Sequence, residues 1–234
     1  MKKGSLTLVP TPINDEAPLE PIALNYLKKI ALNTNHILLV EEPKVMRKKW
    51  LDWNLPREAI DSFEVYNEHH AGEKEKKIIS KLKEGFSATL LSDCGLPAFC
   101  DPGQTLVDLC HKNKIKVTAT PFSNSISLAV ALSGFPHHNF LFLGFAPQKT
   151  NEFTPWIKEG LKKSKVVIFM DTPYRLEKTI QKLIDSKINA QLFLGIDLNM
   201  DSEILLRGKI HNIESELSGL TEKKREFIAI LYQP

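Results

Sequence analysis

The alternation of apolar runs with amphipathic stretches is the feature that most restricts the fold of this chain of 234 residues. In the first half, short strand-like runs are separated by stretches with helical periodicity. The runs are Leu6–Val9, His36–Val40, Ser62–Tyr66, Ser87–Leu91 and Ile115–Ala119, and the helical stretches are Leu19–Leu32, Pro43–Asp52, Gly72–Glu84 and Gly103–Lys112. Because strands joined by helical crossovers run parallel, the pattern predicts a mainly parallel sheet.

The second half has a different rhythm, because its apolar runs follow one another more closely. After Pro121 the pattern predicts helices at Ser125–Leu132, Phe153–Lys163 and Tyr174–Ser186, and strands at Phe140–Gly144, Lys165–Met170, Ala190–Ile196, Glu203–Leu206 and Glu226–Leu231. Strands this close along the chain pair as hairpins, so we expect a mixed sheet. The sequence therefore predicts an α/β protein with two domains, residues 1–119 with the parallel sheet and residues 120–234 with the mixed sheet.

The balance of charge limits how the protein can recognise an anionic partner. The chain carries 31 Lys and Arg against 28 Asp and Glu, a net charge of +3, which is too small to bind nucleic acid through overall charge. Any anionic partner must be recognised locally. The basic clusters mostly alternate with acidic or apolar residues at helical spacing, and we interpret them as solvated helix faces. They are Lys44/Arg47/Lys48/Lys49, Lys74/Lys76/Lys77, Lys162/Lys163/Lys165 and Lys223/Lys224/Arg225.

The number of cysteines and the lack of long apolar segments indicate in which cellular compartment the protein is expected. Three cysteines, Cys94, Cys100 and Cys110, cannot form a closed set of disulfides, and the amino terminus carries no apolar signal segment, so we expect a cytoplasmic protein. Residues 117–148 contain no Asp, Glu, Lys or Arg, but prolines interrupt them and no membrane span is expected. The cysteine spacing fits no zinc site; we interpret these residues as small buried thiols and expect no metal.

The most unusual stretch is Ser92–Gly103, with the sequence SDCGLPAFCDPG, which follows one predicted strand and opens a helix. In open α/β sheets, ligands bind where loops diverge at the carboxyl ends of strands. Glycines let the backbone approach a ligand closely, and N–H groups at a helix start hold a carboxylate or phosphate. The pattern alone also fits an ordinary turn in which Asp101 caps the following helix, and both interpretations stay open.

Two further loops leave neighbouring predicted strands. Val9–Asn14 follows the first strand, and Pro121–Ser125 follows the fifth and enters another helix, so that Ser123 or Asn124 can serve simply as its cap. Three such loops, all after parallel strands, favour one shared ligand site over three unrelated turns.

At these residues the chain resembles a known family. The run SDCGLP at Ser92–Pro97 with DPG at Asp101–Gly103 is similar to the SDAGTP…SDPG signature of the tetrapyrrole-methylase superfamily, in particular its branch that methylates a ribose 2′-hydroxyl in 16S ribosomal RNA. Collinear matches cover nearly the whole chain. They are Val9–Asn14 with ATPIGN, Glu41–Lys44 with EDTR, Tyr66–His69 with YHEHN, Phe142–Lys149 with FxGFLPxK, Asp171–Leu176 with ESPHRL and Lys224–Phe227 with KGEF.

The resemblance implies a two-domain α/β methyltransferase, usually a homodimer, that holds S-adenosylmethionine in the cleft between its domains. No GxGxxG fingerprint is needed for this cofactor site, and none is present in the chain. The cofactor-binding residues that the resemblance implies are Ser92, Asp93, Cys94, Gly95, Leu96, Pro97, Asp101, Pro102, Gly103, Ser123, Asn124, Ser125 and Phe145.

Departures from the family pattern fall both on the loops that imply the cofactor site, where they alter its local geometry, and on the acceptor side. The Gly of ATPIGN is Asp15 or absent, the Arg of EDTR is Lys44, and Phe122 stands in the loop that reads PGPSA in the family. The family's RELTKxxE segment reads IDLNMDSE at Ile196–Glu203, with Met200 in place of a cation. Losing cations weakens phosphate binding, so these changes affect the RNA substrate more than the methyl transfer itself.

Methyl transfer from a sulfonium is an in-line displacement, so the protein mainly aligns the reactants. If the acceptor is a hydroxyl, a base must take its proton. The candidate bases are Glu41 and Asp197, with Glu42 and Glu203 as further carboxylates, while Lys149 and Arg175 are candidates to hold a phosphate or to lower the pKa of the acceptor. Each of these residues is also compatible with a purely structural role.

The sequence thus supports an S-adenosylmethionine-dependent methyltransferase that acts on the ribose 2′-hydroxyl of small-subunit ribosomal RNA. Two alternatives stay open at this point. One is methylation of a tetrapyrrole or another small molecule. The other is a cofactor-binding or RNA-binding module that has lost catalysis, which the changes at Ile196 and Met200 would allow.

Overall fold

The computed structural model describes residues 3–14, 16–67, 73–99, 101–122, 124–217 and 224–234. The chain divides into two compact units, Met1–Asn124 and Ser125–Pro234. Glu68, His69, Cys100, Ser123 and Asp15 from the sequence motifs lie outside the described residues.

The first unit contains a sheet of five parallel strands, which confirms the predicted parallel sheet. The strands are β1 (Ser5–Val9), β2 (His36–Val40), β3 (Phe63–Val65), β4 (Ser87–Leu91) and β5 (Lys116–Ala119), in the order β3-β2-β4-β1-β5. The crossover helices are α1 (Pro21–Ile30), α2 (Pro43–Asp52), α3 (Glu73–Lys83) and α4 (Gln104–Lys112), and a 3₁₀ helix covers Arg57–Ser62.

Strand β2 shows why the apolar runs of this unit are continuous. Its Ile37 and Leu39 belong to one hydrophobic cluster, while Leu38 and Val40 belong to another. Because side chains alternate across a strand, the sheet is covered on both faces, which is the usual arrangement of parallel sheets. Helix α2 starts immediately afterwards, where Pro43 occupies the first turn and the Glu42 side chain caps the Lys44 N–H.

The second unit contains a mixed sheet of five strands, as predicted. The strands are β6 (Leu141–Phe145), β7 (Val166–Asp171), β8 (Gln191–Ile196), β9 (Ile204–Lys209) and β10 (Phe227–Tyr232), in the order β6-β7-β10-β8-β9. Only β6 and β7 pair in parallel among the described strands of this sheet. The helices are α5 (Ser125–Ser133), α6 (Thr150–Lys163), α7 (Leu176–Asp185) and α8 (Ile210–Leu217).

Most boundaries in this unit differ from the sequence prediction by one to three residues, and two of these differences are informative. Strand β9 extends to Lys209 because it pairs with β8 along its whole length, so that polar residues of an exposed strand continue the ladder. The helix predicted from Tyr174 begins at Leu176, after a 3₁₀ turn at Pro173–Arg175. Arg175 makes an ion pair with Asp171 at this turn, a contact that helical periodicity does not encode.

Candidate functional site

The Ser92–Gly103 loop leaves the carboxyl end of β4 and is hydrogen-bonded to the loop that leaves β1. Gly95 and Thr11 exchange two backbone hydrogen bonds, with N–O distances of 2.9 and 3.1 Å. The Ser92 hydroxyl donates to the Gly95 carbonyl at 2.8 Å, and the Thr11 hydroxyl donates to the Ser92 carbonyl at 3.3 Å. The structure therefore brings together two of the three loops that the sequence singled out.

Glycine is required at the end of this loop. Gly103 has φ of +136°, and a Cβ at this position would lie 2.6 Å from Leu90 Cδ2. A side chain there would clash with the core and strain the backbone. Gly103 is also the N-cap position of α4, and no side chain caps this helix, so the alternative in which Asp101 acts as the cap is wrong.

Three carboxylates surround the start and the end of this loop. The Asp93 N–H donates to Glu41 Oε2 at 3.4 Å, and the Glu42 N–H donates to Asp93 Oδ1 at 3.3 Å. Burial, with the nearby charges of Glu41 and Glu42, raises the pKa of Asp93 to about 6. Burial and the charges of Glu41 and Asp93 raise the pKa of Asp101 to about 7. We call Glu41, Asp93 and Asp101 the carboxylate cluster.

The third loop is described except for Ser123, and Phe145 is described in the second unit. Asn124 is half-buried before α5, Ser125 is the first residue of that helix, and Phe122 is exposed. Thr120, at the end of β5, is buried, and its hydroxyl has no hydrogen-bond partner among the described residues. Phe145, the last residue of β6 in the second unit, is exposed.

One of the two described cysteines differs from the expectation of small buried thiols. Cys110 is buried as expected, which raises the pKa of its thiol to about 11. Cys94 is exposed instead, and its thiol donates weakly to the carbonyls of Pro12 and Ile13 at 3.8 and 3.9 Å. Within the described parts of the chain, no group of three or more His, Cys, Asp or Glu side chains is arranged to hold a metal ion.

Arg175 is held by contacts within its own turn. Its guanidinium forms an ion pair with Asp171, whose side chain is completely buried, and its Nε donates to the Thr172 hydroxyl at 3.2 Å. Asp171 also accepts from the Thr172 N–H at 2.7 Å and from the Thr179 hydroxyl. The Arg175 Nη1 atom is buried and has no partner among the described residues.

Asp197 is buried and has a positive φ of +49° after β8. Its carboxylate accepts from Arg225 Nη1 at 3.0 Å and from the Ser202 hydroxyl at 2.9 Å. Burial and the charge of Asp197 also raise the pKa of Glu226. Lys149, in contrast, is exposed and pairs with Glu152 at 3.0 Å on the first turn of α6.

Sequence reasoning missed two residues that organise the second unit. Asp171 holds Arg175, and Arg225 holds Asp197. Asp171 lies inside the motif DTPYRL and Arg225 inside the motif KREF, so their place in these family motifs could have identified them. Another motif residue, Tyr66, is structural: it is buried and donates to Glu75 at 2.7 Å.

Comparisons with known proteins concern the fold and the family of the chain. No family model matches the chain. Solved structures share its fold across nearly the full length. A conserved hypothetical protein of Aeropyrum pernix has a TM-score of 0.69 at 11% identity, covering 99% of this chain and 85% of the other. Uroporphyrin-III C-methyltransferase of Thermus thermophilus, complexed with S-adenosyl homocysteine, has a TM-score of 0.55 at 15% identity and covers 98% of each chain.

The two sheets and these neighbours define an α/β protein with the fold of the tetrapyrrole methylases. Curated relatives identify the family more specifically than the solved structures do. Ribosomal RNA small subunit methyltransferase I of Mesomycoplasma conjunctivae is 31% identical over 228 residues, 97% of this chain and 90% of that protein. The protein of the same name from Thermotoga maritima is 29% identical over 222 residues, 95% of this chain and 94% of that protein. The chain belongs to the ribosomal RNA small subunit methyltransferase I family.

Proposed function

We propose that this protein is an S-adenosylmethionine-dependent methyltransferase that acts on a ribose 2′-hydroxyl of small-subunit ribosomal RNA. The observation that carries the proposal is the Ser92–Gly103 loop. It has the family signature, lies at the carboxyl end of β4 and is held to the β1 loop by reciprocal hydrogen bonds between Gly95 and Thr11. This edge of a parallel sheet is where open α/β proteins bind ligands.

The residues around the loop fit a positively charged cofactor. Asp93 and Asp101 have raised pKa values because burial and neighbouring carboxylates disfavour their ionised forms. A cation placed beside them would offset that repulsion. When bound, S-adenosylmethionine supplies a methyl group on a positively charged sulfur, and its amino group adds a second positive charge. The chemistry of the carboxylate cluster therefore matches this cofactor.

Methyl transfer to a hydroxyl breaks the bond between carbon and sulfur, forms a bond between carbon and oxygen, and releases the hydroxyl proton. The chain must supply an acceptor for that proton. Of the two candidate bases, Glu41 has stronger support, because its carboxylate makes no ion pair with any residue in the described ranges, whereas Asp197 is held by Arg225. Both assignments stay proposals.

Arg175 and Lys149 differ in what they can offer to a substrate. Asp171 fixes the guanidinium of Arg175, whose side chain is 21% exposed, so its accessible edge can approach a phosphate or another acceptor atom. Lys149 is an exposed cation paired with Glu152, and such exposed pairs contribute little energy. We propose Arg175 as a positioning residue for the RNA and keep Lys149 as a weaker candidate.

The test combines cofactor binding with methyl transfer. We expect S-adenosylmethionine to bind in a calorimetric titration, and we expect label from its methyl group to appear in small-subunit RNA from cells that lack this methylation. Mapping by resistance to alkaline cleavage should place the label on a 2′-oxygen. Binding without transfer to RNA would contradict the proposal and favour the module that has lost catalysis, and transfer to a tetrapyrrole instead of RNA would favour the small-molecule alternative.

The remaining expectations concern assembly and location. None of the helices in the described part of the chain is long and apolar enough to cross a membrane. We propose a homodimer in the cytoplasm, which sedimentation of the purified protein and fractionation of cells would test.

A further inference from the structure

Helix α2 carries an exposed row of positive charge. Lys44, Arg47 and Lys48 are all exposed and are spaced three and four residues apart, so they lie on one face of the helix. Met46 and Trp50 lie on the opposite face and are completely buried. The helix is therefore anchored by its apolar side, and the three cations face solvent.

The cations of this row form no ion pairs with the described residues. In the described part of the chain, no carboxylate lies within ion-pair distance of Lys44, Arg47 or Lys48. Cations of other helices do have partners, such as Lys112 with Asp108 at 2.6 Å and both Lys162 and Lys163 with Glu159. The interpretation as a charge-balanced solvated face thus describes α4 and α6 better than α2.

The position of α2 connects it to the proposed cofactor loop. The helix starts two residues after Glu41, whose carboxylate accepts the Asp93 N–H. The Glu42 N–H, just before the helix, donates to Asp93 Oδ1. A strand lying along α2 would therefore come close to the Ser92–Gly103 loop at the first turn of the helix.

A pocket beside the helix adds a fourth cation. Arg47 and Arg57 line a cavity of about 310 Å³ together with Glu58, Ile60 and Asp61. The two carboxylates disfavour a phosphate inside this cavity, but they can accept hydrogen bonds from the amino groups of a nucleobase. The phosphates of a bound strand would therefore lie on the outer face of the helix and not in the pocket.

We propose that the exposed face of α2, formed by Lys44, Arg47 and Lys48 with Arg57 at its side, binds the sugar-phosphate backbone of the RNA substrate. The proposal rests on the proposed function and specifies where the substrate binds. Charge complementarity identifies the partner: a net charge of only +3 cannot attract RNA globally, so a local row of cations without ion pairs must do so. A single strand, whose backbone is flexible, can follow the row into the cofactor loop.

The test removes the row and measures RNA binding as a function of salt. The variant combines Lys44→Gln, Arg47→Gln and Lys48→Gln. For a single strand, each lost phosphate contact reduces the magnitude of the slope of log affinity against log salt by about 0.7. For three lost contacts we expect the magnitude of the slope to fall by about 2. We also expect the affinity near 0.1 M salt to fall at least about tenfold. The probe is a labelled single-stranded fragment of small-subunit RNA, followed by fluorescence anisotropy.

The matched control removes the same amount of charge elsewhere. It combines Lys112→Gln, Lys162→Gln and Lys163→Gln, three exposed cations that already pair with acids. We expect the control to keep the slope of the wild-type protein. Thermal midpoints of both variants verify folding, since all six side chains are exposed.

The outcomes separate this inference from the proposed function. If the wild-type protein methylates RNA but the α2 variant binds it with unchanged slope and affinity, the surface assignment is wrong and the function stands. If the wild-type protein neither binds nor methylates RNA, the proposed function fails. Vesicles containing phosphatidylglycerol and an acidic peptide serve as competing probes, and loss of binding to either of them, with RNA binding retained, would overturn the assignment to RNA.

Discussion

Asp101 shows how the fold changes the chemistry of one residue. Burial and the charges of Glu41 and Asp93 raise its pKa to about 7 in the folded chain, against 3.8 for an ordinary aspartate. Between these two pH values the folded state binds more protons than the unfolded state. The free energy of unfolding therefore falls as pH rises through this window and levels off above it.

The substitution Asp101→Asn should remove most of this dependence. Asp101 is partly exposed, so after allowance for solvent screening we expect the variant to gain about 1–2 kcal/mol relative to the wild-type protein between pH 4 and pH 8, in the absence of cofactor. Urea unfolding at several pH values is the measurement. Asp108→Asn, which removes an exposed carboxylate on α4, is the control. If the plots of unfolding free energy against pH were parallel for Asp101→Asn and the wild-type protein, the raised pKa of Asp101 would be wrong.

The connection from β7 to α7 depends on a buried ion pair. The side chain of Asp171 is completely inaccessible and holds the Arg175 guanidinium one turn later, just before the helix starts at Leu176. Removing one partner of such a pair leaves a buried charge without compensation, whereas removing both does not. The stability of the turn between β7 and α7 therefore depends more on the ion pair between Asp171 and Arg175 than on the helix propensity of its residues.

We expect Arg175→Met to lower the free energy of unfolding by about 3 kcal/mol. The double variant Asp171→Asn, Arg175→Met should be at least about 1 kcal/mol more stable than the single variant, because it no longer buries an unpaired carboxylate. Lys163→Met, which breaks an exposed pair with Glu159, should cost less than about 1 kcal/mol. Denaturant unfolding is the measurement, and equal losses in the single and double variants would refute the role of the pair.

At the scale of the whole molecule, the tryptophans separate the two compact units. Trp50 and Trp53 belong to the first unit, and Trp156 packs against Phe153 and Phe169 in the second. Each unit has its own sheet and its own hydrophobic clusters. We propose that the two domains predicted from the sequence, residues 1–119 and 120–234, correspond to these units, Met1–Asn124 and Ser125–Pro234, and unfold separately.

Tryptophan variants test this proposal. In Trp156→Phe the fluorescence reports on the first unit, and in Trp50→Phe with Trp53→Phe it reports on the second. We then introduce Arg175→Met into both backgrounds. Where Trp156 is the reporter, we expect the urea midpoint to fall by at least about 0.5 M, on the order expected from a loss of ~3 kcal/mol and the denaturant slope of a small domain. Where Trp50 and Trp53 are the reporters, we expect no shift. Equal shifts in both backgrounds would show that the chain unfolds as one unit.

Local patterns of sequence were sufficient for most of the fold. The bounds of β2, α2 and β4 agree with the prediction, because a strand covered on both faces is continuously apolar and because Pro43 and Glu42 mark a helix start. The signature loop was also found from sequence, since Gly95, Pro97 and Gly103 are rare at such close spacing inside regular elements. The exposure of Cys94 could not be found this way, because spacing carries no information about which way a loop turns.

The sequence by itself determined the kind of protein: the order of strands and helices, the parallel and mixed sheets, and the family to which the motifs belong. Those properties depend on periodicity and short motifs, which are local. Only the tertiary structure decided the electrostatics. It placed Glu41 and Asp93 beside Asp101, and it joined Arg225 to Asp197 across 28 positions of sequence. Charges act through space and burial, so their consequences appear only when strands distant in sequence become neighbours.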